Sequence, residues 1–389
     1  MKAIPFIIIL NTLQTSSLSA NKIVLTLYAL DLDASAFVIG ALAALFSLAA
    51  ATLSVPVGKL ADRFGARWLL VAGTLGAGLG MLLPWLWPSL PVVLVGGALA
   101  GLSQGFFNVT LQNLTGLHST PDDRARNFSN YSLTISAGAL IGPLIGGFLF
   151  DHLSHAQACM AFSLLGFVPL AMLASWRGPM ERGALYKPEP RAVHAGAGGT
   201  LALFRNRDIR DNIITASFLS SGLSMMATYM PVYGHSIGLS ASVIGIVAAL
   251  NAMAAFAIRA LLPRMIALLK EEKVLALSFC FGAAGLILTP FFENAAVLGL
   301  LAFTFGIGMG AGQPVVTIRT FHLAPPGRSG EAIGLKITTN HLTNMVSPLV
   351  FGGIATAAGL AVMFWLNGLM MVGGCRIAWP REPATREGA

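Results

Sequence analysis

Carboxylates are scarce in this chain. Only 16 of its 389 residues are Asp or Glu, charged residues of both signs make up 10%, and cysteine occurs three times. A soluble domain usually carries about 25% charged residues, so a water-soluble globular protein is excluded. No Walker loop, HExxH pair or nucleophile elbow occurs, which leaves a membrane enzyme without sequence support and implies no cofactor. Cys159, Cys280 and Cys375 fall on separate apolar segments without CxxC spacing. They are expected to be core thiols, neither a disulfide framework nor a metal site.

What the chain does have is apolar length. Hydrophobic residues make up 55% and the mean hydropathy is +0.75. Apolar runs of about twenty residues, enough to cross roughly 30 Å of hydrocarbon, recur throughout. Twelve spans are expected near residues 5–28, 35–57, 67–88, 91–116, 128–150, 156–176, 211–233, 238–262, 273–292, 295–318, 331–355 and 360–379. The net charge of +8 follows this pattern. Lys and Arg cluster in alternate loops, while the opposite loops hold Asp31, Asp33, Asp151 and Glu293. This positive-inside bias places both termini in the cytoplasm and removes the need for a nucleic-acid partner. The lipid bilayer is the expected surrounding, here a bacterial inner (cytoplasmic) membrane.

The sequence also resembles itself at an offset of about 205 residues. "LYALDLDASAFVIG" from Leu27 matches "VYGHSIGLSASVIG" from Val232, and "GPLIGG" at 142 matches "SPLVFGG" at 347. Because the first span belongs to this repeat, it is expected to be retained and not cleaved as a signal peptide. Two six-span halves, residues 1–176 and 211–389, are therefore expected on either side of a Pro-, Gly- and Arg-rich cytoplasmic linker at 177–210.

Between spans two and three the chain reads "GKLADRFGAR". With Gly58, Asp62, Arg63, Gly65 and Arg67 in this order, the chain resembles the major facilitator superfamily over essentially its whole length. Ala66 departs from the family pattern, with the basic charge displaced to Arg67. The resemblance implies an all-α membrane protein of twelve helices in two pseudo-symmetric six-helix halves, working by alternating access. It also implies that Asp62 latches onto the N-terminal end of helix eleven, where backbone N–H groups attract negative charge. In span five, Gly138, Gly142, Pro143, Gly146 and Gly147 resemble the motif of the superfamily's bacterial proton-coupled exporters. Span four lacks the arginine that such exporters often carry, since Gly101 stands three residues before Gln104.

No carboxylate lies at mid-membrane, and the candidate substrate or proton groups are neutral or basic. They are Asn11, Gln14 and Lys22 on span one, Gln104 and Asn108 on span four, and Tyr131 on span five. The second half contributes Arg259 on span eight, Gln313 on span ten, and Lys336, Asn340, His341 and Asn344 on span eleven. Lys22, Arg259 and Lys336 have a second reading, in which their ammonium or guanidinium groups snorkel to the membrane edge. His341 is either a hydrogen-bonded packing residue or a proton-responsive group, since the unperturbed pKa of histidine is about 6.5. The expected activity is proton-coupled export of a small neutral or anionic organic compound by a monomer. Alternatives are export of lipophilic cations, import of a small solute, a channel or membrane enzyme, and transport of Cu(I) through Met226, Met230, His341 and Met345.

Overall fold

The computed structural model describes residues 3–48, 66–119, 124–175, 200–325 and 328–379, and among them there is no strand. The helices are α1 (Ala3–Asp31), α2, described over Ala36–Leu48, α3 (Ala66–Leu86), α4 (Leu90–Leu117), α5 (Arg124–His152) and α6 (His155–Ser175). They continue with α7 (Arg207–Ser236), α8 (Ala241–Leu288), α9 (Ala295–Leu323), α10 (Ser329–Ala358) and α11 (Leu360–Ala378). Of the expected linker, residues 177–199 lie outside the described residues, as do Gly58, Asp62, Arg63 and Gly65.

Eight of these helices are long and apolar enough to cross a membrane. α1 and α10 have the length, at 29 and 30 residues, but the amides and hydroxyls they carry dilute their hydropathy. α8 runs for 48 residues. At 1.5 Å per residue that is about 72 Å, enough to cross a hydrocarbon layer twice. Its backbone leaves helical geometry at Lys270, with φ 65° and ψ 158°. The loop expected after residue 262 is therefore helical up to residue 269, because "LLPRMIALL" is built largely from strong helix formers that continue the turn beyond Pro263. α7 likewise begins at Arg207, earlier than expected, because the Asn206 side chain accepts hydrogen bonds from the backbone N–H groups of Asp208 (2.9 Å) and Ile209 (3.4 Å).

The helices α1–α6 and α7–α11 meet chiefly at the end of the bundle away from both termini. Two seams join them there, and the repeat relates one to the other. In the first, a Cβ on Gly245 of α8 would collide with the Pro143 carbonyl of α5, and one on Gly147 of α5 with the Ala241 carbonyl of α8. In the second, Gly40 of α2 stands in the same way against the Pro348 carbonyl of α10, and Gly352 of α10 against the Ala36 carbonyl. Every partner in the second seam lies at the repeat offset of about 205 residues from its counterpart in the first. Only glycine allows this backbone-to-backbone approach.

Hydrogen bonds reinforce both seams. The Asp151 carboxylate at the end of α5 accepts from the backbone N–H groups of Ala241 and Ser242, each at 2.7 Å, and so caps the N-terminus of α8. Its repeat counterpart, Thr356 of α10, accepts from the Phe37 N–H at 3.0 Å, at the start of α2. The Tyr229 hydroxyl donates to the Pro348 carbonyl at 2.7 Å, with the Ala36 carbonyl at 3.1 Å. Asp31 at the end of α1 contacts His155 of α6 at 2.9 Å and His235 of α7 at 3.9 Å. This end of the bundle is closed.

Candidate functional site

Below the closed end lies a cavity of about 340 Å³ between the two groups of helices. This is within the range of small-molecule sites, roughly 300–1,000 Å³. α1 supplies one wall with Asn11, Gln14, Thr15, Leu18, Ser19 and Lys22, the positions at which successive turns present a single helix face. α2 adds Phe46 and Ser47, α4 adds Gln104, Phe107 and Asn108, and α5 adds Ile135. The opposite wall is Leu223, Ser224 and Ala227 of α7 with His341 and Asn344 of α10. Those on α4, α5, α7 and α10 lie near the middle of their helices, which places the cavity at mid-height.

Seven of the expected site residues meet here: Asn11, Gln14, Lys22, Gln104, Asn108, His341 and Asn344. They differ in what they have left to offer. Asn11 is 1% exposed and donates to Thr134 of α5, while Gln14 donates to Ser103 of α4 at 2.8 Å and keeps a buried Oε1 without a partner. Both hold helices together as well as lining the wall. Among the described residues, the side chains of Lys22, Gln104, Asn108, His341 and Asn344 have no protein partner. Among the described residues no Asp or Glu lines the cavity, and its basic side chains are Lys22 and His341.

Five expected residues lie elsewhere. Lys336 is 6% exposed, and its ammonium donates to Thr317 of α9 at 2.6 Å, so it is satisfied within its own helix group. Asn340, expected beside His341 on the substrate, does not line the cavity, and its buried Oδ1 has no partner. Position 340 shares a helix face with Asn344 but is turned about 100° around α10 from His341. Gln313 donates to Ser220 of α7 at 3.4 Å, and Arg259 donates to Ser136 of α5 at 3.1 Å. Tyr131 packs in a cluster with Phe6, Leu10 and Leu111.

The glycines of the span-five motif divide their work. Gly138 and Gly142 press on Thr15, Ser16 and Ser19 of α1, and Gly146 on Ala20, which brings α1 close to α5 and aims its polar face into the cavity. Gly147 and the Pro143 carbonyl serve the seam with α8. Arg67, the described member of the loop motif, donates to the Leu173 carbonyl at 3.2 Å. Met226 and Met230 sit in the main hydrophobic core, while His341 lines the cavity. The expectation of three isolated core thiols is corrected. Cys159 is buried, but the sulfurs of Cys280 on α8 and Cys375 on α11 lie 3.4 Å apart at the helix surface, because two segments distant in sequence pack side by side.

Composition hides several wall residues. Phe46 and Phe107 look like ordinary core aromatics, and Ser19 and Ser47 like ordinary small packing residues. Only the polar periodicity of α1 could have marked Ser19.

Comparison with known proteins accords with this geometry. The family model described as Major Facilitator Superfamily matches residues 6–342 and again 271–389. The quinolone resistance protein NorA of Staphylococcus aureus (strain COL) is 24% identical over 360 residues, covering 90% of this chain and 89% of that protein. The class C tetracycline resistance protein of Escherichia coli is 26% identical over 365 residues, covering 90% and 87%. The crystal structure of the nucleoside transporter NupG superposes with a TM-score of 0.79 at 14% identity, covering 97% of this chain and 98% of that one. At that identity the likeness speaks for the fold alone.

Proposed function

The chain belongs to the Major Facilitator Superfamily, and from that premise we propose that it exports a small neutral or acidic organic compound through the central cavity. It is a multi-pass membrane transporter and not an enzyme. The observation that carries the cargo class is the cavity's charge. Among the described residues Lys22 and His341 face it, no carboxylate does, and five polar side chains there are without protein partners. A lipophilic cation would meet repulsion, whereas an acid or a polar neutral solute would find donors to replace its water.

Two helix bundles, residues 1–176 and 211–389, rock about the cavity in this proposal, each monomer acting alone. The loop charges set the termini in the cytoplasm, so the closed seams face outward and the protein stands ready to receive cargo from inside. Relatives named for quinolone and tetracycline resistance support export as the direction. His341 is the cavity group whose proton answers pH, and coupling to protons would run through it. The test is flux from proteoliposomes with and without an imposed pH gradient, across neutral, acidic and cationic compounds of similar size. Efficient export of ethidium with no movement of acids would replace this proposal with a cation exporter.

A further inference from the structure

We infer that the cargo is an organic monoanion with an apolar, ring-sized body, that Lys22 is its counter-charge, and that the membrane potential drives its export. This inference rests on the exporter reading above. Lys22 sits nine residues before the end of α1, about 13 Å in from the closed end along the helix axis. A charged group held at such depth is ordinarily paired, because leaving it bare costs solvation free energy. Among the described residues no carboxylate pairs with Lys22, and the cavity it faces contains none. The missing partner is thus assigned to the cargo. One unpaired ammonium matches one negative charge. Among the amides and hydroxyls of the remaining wall, Phe46, Phe107, Leu18, Ile135 and Leu223 give apolar surface that fits the body of the molecule.

The charge count over one cycle then gives the driving force. When the cavity is loaded, the anion neutralises Lys22, and crossing to the outward-facing state moves no net charge. When it is empty, Lys22 returns alone, carrying its positive charge from the outward-facing to the inward-facing state. An interior-negative potential favours that return. The sum of the two steps is one negative charge leaving the cell, before any proton that His341 carries inward is counted, so export needs no ionisable carboxylate in the membrane. A potential of 100 mV would sustain a concentration ratio of about 45-fold, from about 2.3 kcal/mol per elementary charge.

Three probes of matched shape test this in proteoliposomes holding equal pH on both sides: 2-naphthoate, neutral 2-naphthamide and cationic 2-naphthylmethylammonium. The potential is set by a potassium gradient with valinomycin. Wild-type protein should move naphthoate several-fold faster than the other two, and an interior-negative potential should drive naphthoate outward beyond equilibrium. Lys22→Gln should lose naphthoate export at least tenfold while still moving the amide, and Lys22→Arg should keep the anion preference. Naphthoate flux indifferent to the potential, or a Lys22→Gln variant that exports naphthoate normally, overturns the inference and leaves the exporter reading standing. If none of the three probes moves but ethidium does, the exporter reading for small acids fails, and this inference fails with it. The potential dependence is read on wild-type protein, so it stands even if a Lys22 variant does not fold.

Discussion

Removing the Asp151 carboxylate should loosen the closed end of the bundle by a predictable amount. Its two oxygens each accept one backbone N–H at the start of α8, at 2.7 Å. Replacing a capping side chain by alanine costs about 0.5–2 kcal/mol, and Asp151, with two such bonds, belongs at the upper end. Asp151 is exposed, so solvent screens the additional attraction of its charge for the helix end. Asp151→Ala is then expected to shift the balance toward the opposite-facing state by about 2 kcal/mol, roughly 25-fold in the ratio of closed to open molecules. Thr356, the repeat counterpart, gives one neutral cap bond, so Thr356→Val should shift the balance by about 1 kcal/mol, roughly fivefold. Spin labels at Gln157 and Ser236, in a background lacking the three native cysteines, would report the separation at that end by double electron–electron resonance. The long-distance population should grow in the order wild type, Thr356→Val, Asp151→Ala, with little change in thermal stability. Identical distance distributions for all three would refute the idea that these caps hold the end shut.

Asp62→Asn should lower transport far more than it lowers expression, because the proposed latch sets the population of facing states and leaves the cavity unchanged. Wild-type flux in a well-expressed variant would overturn the latch that the loop motif implies. His341→Ala should reduce transport and flatten its pH dependence, as measured by flux at matched internal and external pH over a series of pH values. With copper phenanthroline as oxidant, Cys280 and Cys375 should lose two electrons and two protons and form an intramolecular disulfide, since their sulfurs are 3.4 Å apart. Intact-mass analysis should show the loss of two hydrogens in wild type and none in Cys375→Ser.

The membrane class, the repeat and the polar faces of α1 and α10 were legible because each is a periodic property of a single segment. Lys22, His341 and Asn344 reached the cavity as their helical positions implied. Lys336 and Gln313 carry the same kind of signal, yet Thr317 and Ser220 on neighbouring helices absorb their donors. Nothing in α10 or α9 alone distinguishes a side chain that faces a cavity from one that ties two helices together. Asp151 read as an outer-loop acid because the N–H groups it caps are 90 residues away. The cysteine pair was hidden for the same reason, with 95 residues between its members. The broken eighth helix escaped because an apolar, helix-favouring stretch contains no stop signal except Pro263, which the helix tolerates.

The matched seams have the form of an isologous interface, the kind found in two-fold symmetric dimers, in which residue i meets j and j meets i. Gly40 meets Pro348 as Gly245 meets Pro143, and Ala36 meets Gly352 as Ala241 meets Gly147. Here the two protomers of such a dimer are two stretches of one polypeptide. Each half already carries both faces of its own partner's surface, so the halves should recognise each other even when the chain between them is cut. Residues 1–176 and 200–389 made as separate polypeptides should therefore co-purify as a one-to-one complex, and a bulky side chain at Gly245 should prevent it. Divergence between the halves is correspondingly restricted: α1, α4 and the cavity residues of α10 can change to suit a new cargo, while the seam residues of α2, α5, α8 and α10 must keep, on both sides at once, the bare backbone on which the two pieces fit.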